Sequence, residues 1–100
     1  MNLRTTARGR PCQIRVPGVL CDPETVVLCH VRMVEIPTKN FPGRDLLAAF
    51  GCYQCHAIVD GQQSTNFTRD ERQLMLLEAV MRTQAIWLRE GLITIGKRAA

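Results

Sequence analysis

One hundred residues leave room for one domain and hardly two, and with 46% of them apolar the chain is no disordered tail. Thirteen Lys and Arg against nine Asp and Glu give a formal charge of +4, which suits a polyanionic partner without requiring one. Five cysteines fit a disulfide framework poorly, and no apolar run nears the ~20 residues that span a bilayer.

Residues 1 to 11 are polar and basic, with Arg4, Arg8 and Arg10, and read as an arm with frayed ends. They hold no stretch of signal-peptide type. The chain is therefore expected in the cytoplasm, where thiols stay reduced and paired cysteines more often bind metal or react than form disulfides. "CQIRVPGVLC", residues 12 to 21, sets two cysteines around a Pro-Gly turn that can fold Cys12 back toward Cys21. "TVVLCHVR" is rich in β-branched residues and reads as a strand, with Val27, Cys29 and Val31 on a core-facing side and Leu28, His30 and Arg32 on the other. "IPTKNFPGR" is a loop, and "DLLAAFG" offers a brief strand that would pair back on the first.

From Cys52 a short helix is predicted to Asp60, with Gly61 as its stop. Thr68 opens "TRDE", a capping box with Glu71 at the third helical position. The helix behind it, about 69 to 90, is the longest element, and Leu74, Leu77, Met81, Ala85 and Leu88 form its predicted buried stripe. Its Met and Trp residues read as core packing. Gly91 ends the helix, and "LITI" would add a final strand.

The cysteines carry the strongest chemical signal. Zinc takes four soft or borderline ligands in a tetrahedron, and Cys52 and Cys55, spaced C-x-x-C at a helix start, offer two thiolates from one turn. The Pro-Gly turn offers Cys12 and Cys21 as the other pair. Cys29 falls in the core by strand phase, though it could take the place of Cys21. "CYQCH" also matches the C-x-x-C-H haem attachment pattern. Haem attachment belongs to exported proteins and would leave Cys12 and Cys21 unexplained, so no haem is expected. A redox C-x-x-C needs a thioredoxin-like βαβ pattern that this chain lacks.

His56 and Asp60, four apart on a helix, share a face. They can form a plain charge pair, or hold a divalent cation such as Mg²⁺ while leaving room for water and a substrate phosphate. His30 projects from the strand beside Arg32. If the helix packs across the hairpin, His30 faces that pair over a cleft, where a neutral imidazole can take a proton from water. Arg8, Arg10, Arg15 and Arg32 are the arginines available to meet phosphates.

"VVLCHVR", "RDLLAAF" and "CYQCHAIVD" together resemble the HNH, or ββα-metal, endonuclease motif in its zinc-bearing form. "ARGRPCQIRVPGVL" and "RTQAIWLREG" bring the resemblance closest to the small YbcO-like nucleases of phages and prophages, over nearly the whole chain. The resemblance implies that His30 is the general base, that Asp45 holds it in position, and that His56 binds the catalytic cation with Asp60 as a second ligand one turn on. In many HNH proteins a metal-binding Asp precedes the base histidine. Here that place holds Cys29, a soft group ill-suited to Mg²⁺.

The expectation is thus a small α+β, zinc-stapled ββα-metal (treble-clef, HNH-like) domain with a long C-terminal helix. A basic arm (1–11), a zinc-bearing ββα core (12–61) and a packing helix (68–91) form one unit. The expected activity is metal-dependent hydrolysis of DNA phosphodiester bonds, with structural Zn²⁺ and a catalytic divalent cation, and no membrane association. The alternative is a non-catalytic zinc module that binds nucleic acid or a protein, which needs the cysteines but neither His30 nor Asp60.

Overall fold

The structure is a computed structural model and describes residues 2–33 and 43–96. Most of the predicted "IPTKNFPGR" loop, Pro37 and Pro42 included, lies outside the described residues. Two strands, β1 (Val27–His30) and β2 (Ala48–Gly51), form an antiparallel hairpin that pairs Val27 with Gly51 and His30 with Ala48. Helix α1 (Tyr53–Val59) follows β2 directly, and α2 (Arg69–Arg89) covers the hairpin. Short 3-10 turns at Leu3–Thr6, Pro23–Thr25 and Arg44–Leu47 complete an α+β domain with one core.

The helix boundaries follow their local signals. Cys52 is the N-cap of α1, and Gly61 stops it with φ +77°, a conformation glycine adopts without strain. Thr68 caps α2 in a complete capping box: its hydroxyl accepts the Glu71 N–H at 3.1 Å, and the Glu71 carboxylate accepts the Thr68 N–H at 2.7 Å.

The buried face of α2 differs from the predicted stripe. Leu76, Ala79, Val80, Thr83 and Trp87 are buried, whereas Leu74 and Met81 are 57% and 69% exposed and Leu77 and Leu88 are also exposed. The helix carries apolar residues around most of its circumference, so its own periodicity does not choose between two stripes. The hairpin chooses. The Thr83 hydroxyl accepts the outward Phe50 N–H at 3.0 Å and donates back to the Ala79 carbonyl at 2.8 Å, which satisfies the open edge of β2. Trp87 meets Phe50 edge to face, ring centroids 5.5 Å apart, and its indole N–H donates to Thr6 Oγ1 at 2.9 Å. Trp87 is core, as predicted.

Three further expectations are corrected. The first eleven residues are tied down at Ala7, Trp87 and Glu90: Ala7 is buried, and Arg10 forks onto the Glu90 carboxylate at 2.9 and 2.6 Å. A packed apolar anchor and a bidentate pair remove the freedom that fraying needs. "LITI" forms no strand, because Leu92 and Ile93 turn back to accept no ladder partner and instead donate their N–H groups to the Trp87 carbonyl. Cys29 on β1 and Val31 just beyond it are buried as predicted, but Val27 is exposed and Leu28 on the opposite side is buried. Packing on both faces of so short a strand overrides simple alternation.

Gly51 is where the N-terminal segment crosses the hairpin. A Cβ there would lie 2.5 Å from Ile14 Cδ1 and 2.6 Å from Cys29 Sγ. Gly51→Ala is expected to cost about 1–3 kcal/mol by overpacking, read as a lower urea midpoint for the metal-loaded protein.

Candidate metal centre and imidazole pairs

The turn after β2 and the Pro-Gly turn bring Cys12, Cys21, Cys52 and Cys55 together, with all four sulfurs within 4.8 Å of one another and Cys21 and Cys55 at 3.6 Å. Zn–S bonds near 2.3 Å put the sulfurs of a tetrahedron about 3.8 Å apart, so the donor set fits zinc. Backbone N–H groups already face the sulfurs: Cys52 N donates to Cys12 Sγ at 3.3 Å, and Cys55 N donates to Cys52 Sγ at 3.4 Å. Such donors orient and stabilise thiolates.

The charges of the cluster point the same way. The Cys55 thiol, hydrogen-bonded to Cys12, draws the Cys12 pKa down to about 4, and the same bond drives Cys55 upward. Burial, with the neighbouring sulfurs, raises Cys21 to about 12. The thiols by themselves thus support few thiolates, and ionising all four at this spacing calls for a cation. These four cysteines can hold a metal such as zinc. Cys29 is not among them: its sulfur sits in the core 3.9 Å from the Gly51 carbonyl, and burial raises its pKa strongly. Cys21, and not Cys29, is thus the sulfur that lies with the other three.

The two histidines each pair with a carboxylate. His30 Nε2 lies 2.8 Å from Asp45 Oδ1, and Arg4 Nε lies 3.4 Å from the same oxygen. The His30 bond, with Arg4 beside it, holds the Asp45 carboxyl below the usual carboxylate range. An ionised carboxylate only accepts, so Nε2 of His30 carries the hydrogen of this bond, and on a neutral ring Nδ1 is the nitrogen that holds the lone pair. His56 Nε2 lies 3.0 Å from Asp60 Oδ2, one turn along α1, with Asp60 only 11% exposed.

The two pairs open on different hollows. His30 shares one with Arg4, Arg32 and Arg44. Asp60 lines another with Arg32, Arg69, Arg72 and Gln73, so Arg32 borders both. Among the described residues, His30 does not join His56 and Asp60 in a single group of three converging ligands; only the four cysteines form such a group.

Of the other predicted arginines, Arg8 lines a hollow with Arg4 and His30. Arg10 is committed to Glu90 and lies 5.6 Å over the Phe50 ring. Arg15 takes φ +56° and donates to Gln13 Oε1 beside Arg82. Sequence reading missed Arg4, Arg44, Arg69 and Arg72. A signal existed for Arg69: it occupies the first turn of a capped helix, where a cation opposes the helix dipole.

The family model described as "Putative nuclease YbcO" matches residues 1–92. The chain is 42% identical over 95 residues to "Putative nuclease YbcO" of Escherichia coli (strain K12), spanning 92% of this chain and 96% of that one. It is equally similar, over the same shares, to "Putative nuclease ybcO" of Enterobacteria phage 82. A solved structure, "Structure of a putative bacteriophage protein from Escherichia coli str. K-12 substr. MG1655", superposes with a TM-score of 0.71 at 40% identity, covering 90% of this chain and all of the other.

Proposed function

The chain belongs to the family described as "Putative nuclease YbcO", and from that membership we propose that it is a metal-dependent HNH-type endonuclease of phage or prophage origin that hydrolyses DNA phosphodiester bonds. The observation that carries the reading is the 2.8 Å bond between His30 and an ionised Asp45, in a hollow edged by Arg4, Arg32 and Arg44. Asp45 fixes the ring and its tautomer. His30 Nδ1 takes a proton from a water molecule, whose oxygen attacks phosphorus as the bond to the leaving oxygen breaks, and that oxygen takes a proton from solvent. The surrounding guanidiniums position the phosphate and offset its charge.

His56 Nε2 and Asp60 Oδ2 are the residues that would hold the catalytic cation. A borderline nitrogen and a hard oxygen that already converge fit a site that leaves its other positions to water and substrate oxygens. A divalent ion bound there would supply positive charge that offsets the negative charge of the DNA phosphate. The four cysteines would hold a structural zinc, which would fix the turn from β2 into α1 that carries His56.

A plasmid-nicking assay with and without added Mg²⁺ or Mn²⁺ tests the reading. Nicking should require the added ion and persist at constant zinc content. Asp60→Asn should raise the Mg²⁺ needed for half-maximal nicking by at least the ~10-fold that loss of an outer-shell partner costs elsewhere. One observation favours the second reading, a zinc module that binds nucleic acid without cutting: the two imidazole pairs open on separate hollows. A wild-type protein that shifts DNA on a gel but never nicks it, with either ion, selects that reading.

A further inference from the structure

The hollow beside Asp60 has a volume of about 320 Å³ and lies between the end of β1, the end of α1 and the first turns of α2. Arg32, Arg69 and Arg72 line it, and none of them forms an ion pair among the described residues. Among the described residues, Arg72 Nε is buried without a hydrogen-bond partner. Protein interiors seldom leave such a donor unmatched, and an exception asks for a reason outside folding. Gly61 makes room for this guanidinium: a Cβ at Gly61 would stand 3.0 Å from Arg72 Nη1. Arg69 and Arg72 also sit at the positive end of a 21-residue helix, where local electrostatics favours acidic residues. Asp70 and Glu71 already supply acidic charge to that terminus, and its Thr68 cap is complete, so what an anion in the hollow would satisfy is the arginines.

We infer that this hollow is a subsite for a DNA backbone phosphate flanking the point of cleavage, held by Arg69 and Arg72 with Arg32 shared between it and the His30 hollow. The inference rests on the nuclease reading for the identity of its ligand. It commits to a polymer rather than a small anion because Arg32 borders both hollows, so successive phosphates of one strand can occupy them. Asp60, at the edge of the subsite, would repel a bare phosphate. Binding through the hollow should therefore strengthen when a divalent cation is present.

The test is fluorescence anisotropy with a short labelled duplex, titrated with salt, on the metal-loaded full chain. Each phosphate contact contributes about 0.9 to the slope of log K against log salt. Arg69→Ala and Arg72→Lys should each weaken binding several-fold, and the double variant, which removes one positive charge, should lower the slope by about 1. Arg72→Lys keeps the charge but loses the bidentate fork, and thermal melts confirm that the variants are folded. Arg89→Ala, about 30 Å away along α2, removes the same charge and should leave the slope unchanged. A double variant that keeps wild-type affinity and slope overturns the subsite, as does an equal loss in Arg89→Ala or a wild type that binds no DNA. The outcomes separate the two readings. Wild-type nicking with unchanged binding in the double variant sinks the subsite alone; a reduced slope in a protein that never nicks sinks hydrolysis alone.

Discussion

His30→Ala should reduce the rate of plasmid nicking by about 10²–10⁴-fold, the range that a positioned general base contributes, while zinc content and thermal melting stay near wild type. The side chain is partly exposed, and its 2.8 Å bond to Asp45 leaves Asp45 still paired with Arg4 when the ring is removed. A selective loss of activity in a folded protein is thus the expected pattern. Asp45→Asn should give a smaller loss, since an amide can still accept the Nε2 hydrogen but no longer supports charge on the ring. Variants that nick as fast as wild type would end the role of His30 as base.

Asp45 also gives this site an acid limit. Its pKa is held below the unfolded value, so the stabilisation it provides is fully present above the ordinary carboxylate range and is lost as pH falls through the lowered folded value. Activity dependent on the His30–Asp45 bond should fall on the acid side for the same reason, and Asp45→Asn should abolish that part of the acid limb.

Removal of the metal from the cysteine cluster should unfold the domain. Structural zinc contributes an apparent ~10–16 kcal/mol in small zinc modules, comparable to the entire ~5–15 kcal/mol by which domains are stable. One hundred residues make a limited core, and the cluster joins the Cys12 and Cys21 segment to the start of α1, segments far apart in the chain. A strong chelator or Cys52→Ala should therefore abolish the cooperative melt and most helical circular dichroism, with zinc restoring the chelated protein. Metal analysis should find one zinc per chain. Cys29→Ala provides the contrast: it leaves the cluster intact, keeps one zinc per chain and costs only about 1–3 kcal/mol of core packing. A chelated protein that melts as before, or a Cys29 variant that loses its metal, would remove zinc from the account of this fold.

Local rules explain what the sequence by itself determined. C-x-x-C at a helix start, the Pro-Gly turn, the Thr68 capping box and the glycine stops at Gly61 and Gly91 act over a few residues, so the four-cysteine set, α1 and both ends of α2 were legible from spacing alone. The pairing of "DLLAAFG" with β1 was legible in its last four residues, Ala48–Gly51, while Asp45, Leu46 and Leu47 lie in the 3-10 turn Arg44–Leu47, and the likeness to the HNH motif pointed to Asp45 as the partner of His30. What the tertiary structure decided is which of two apolar stripes α2 buries, and it did so through Thr83, a polar residue that hydropathy places on the surface but that the open edge of β2 needs as an acceptor. It also docked the N-terminal segment on Trp87 and Glu90, and gathered Arg32, Arg69 and Arg72 around one hollow. Those outcomes depend on unmatched backbone groups and shapes of segments distant along the chain. Such groups acquire partners only when the segments meet, so no window of the sequence contains them.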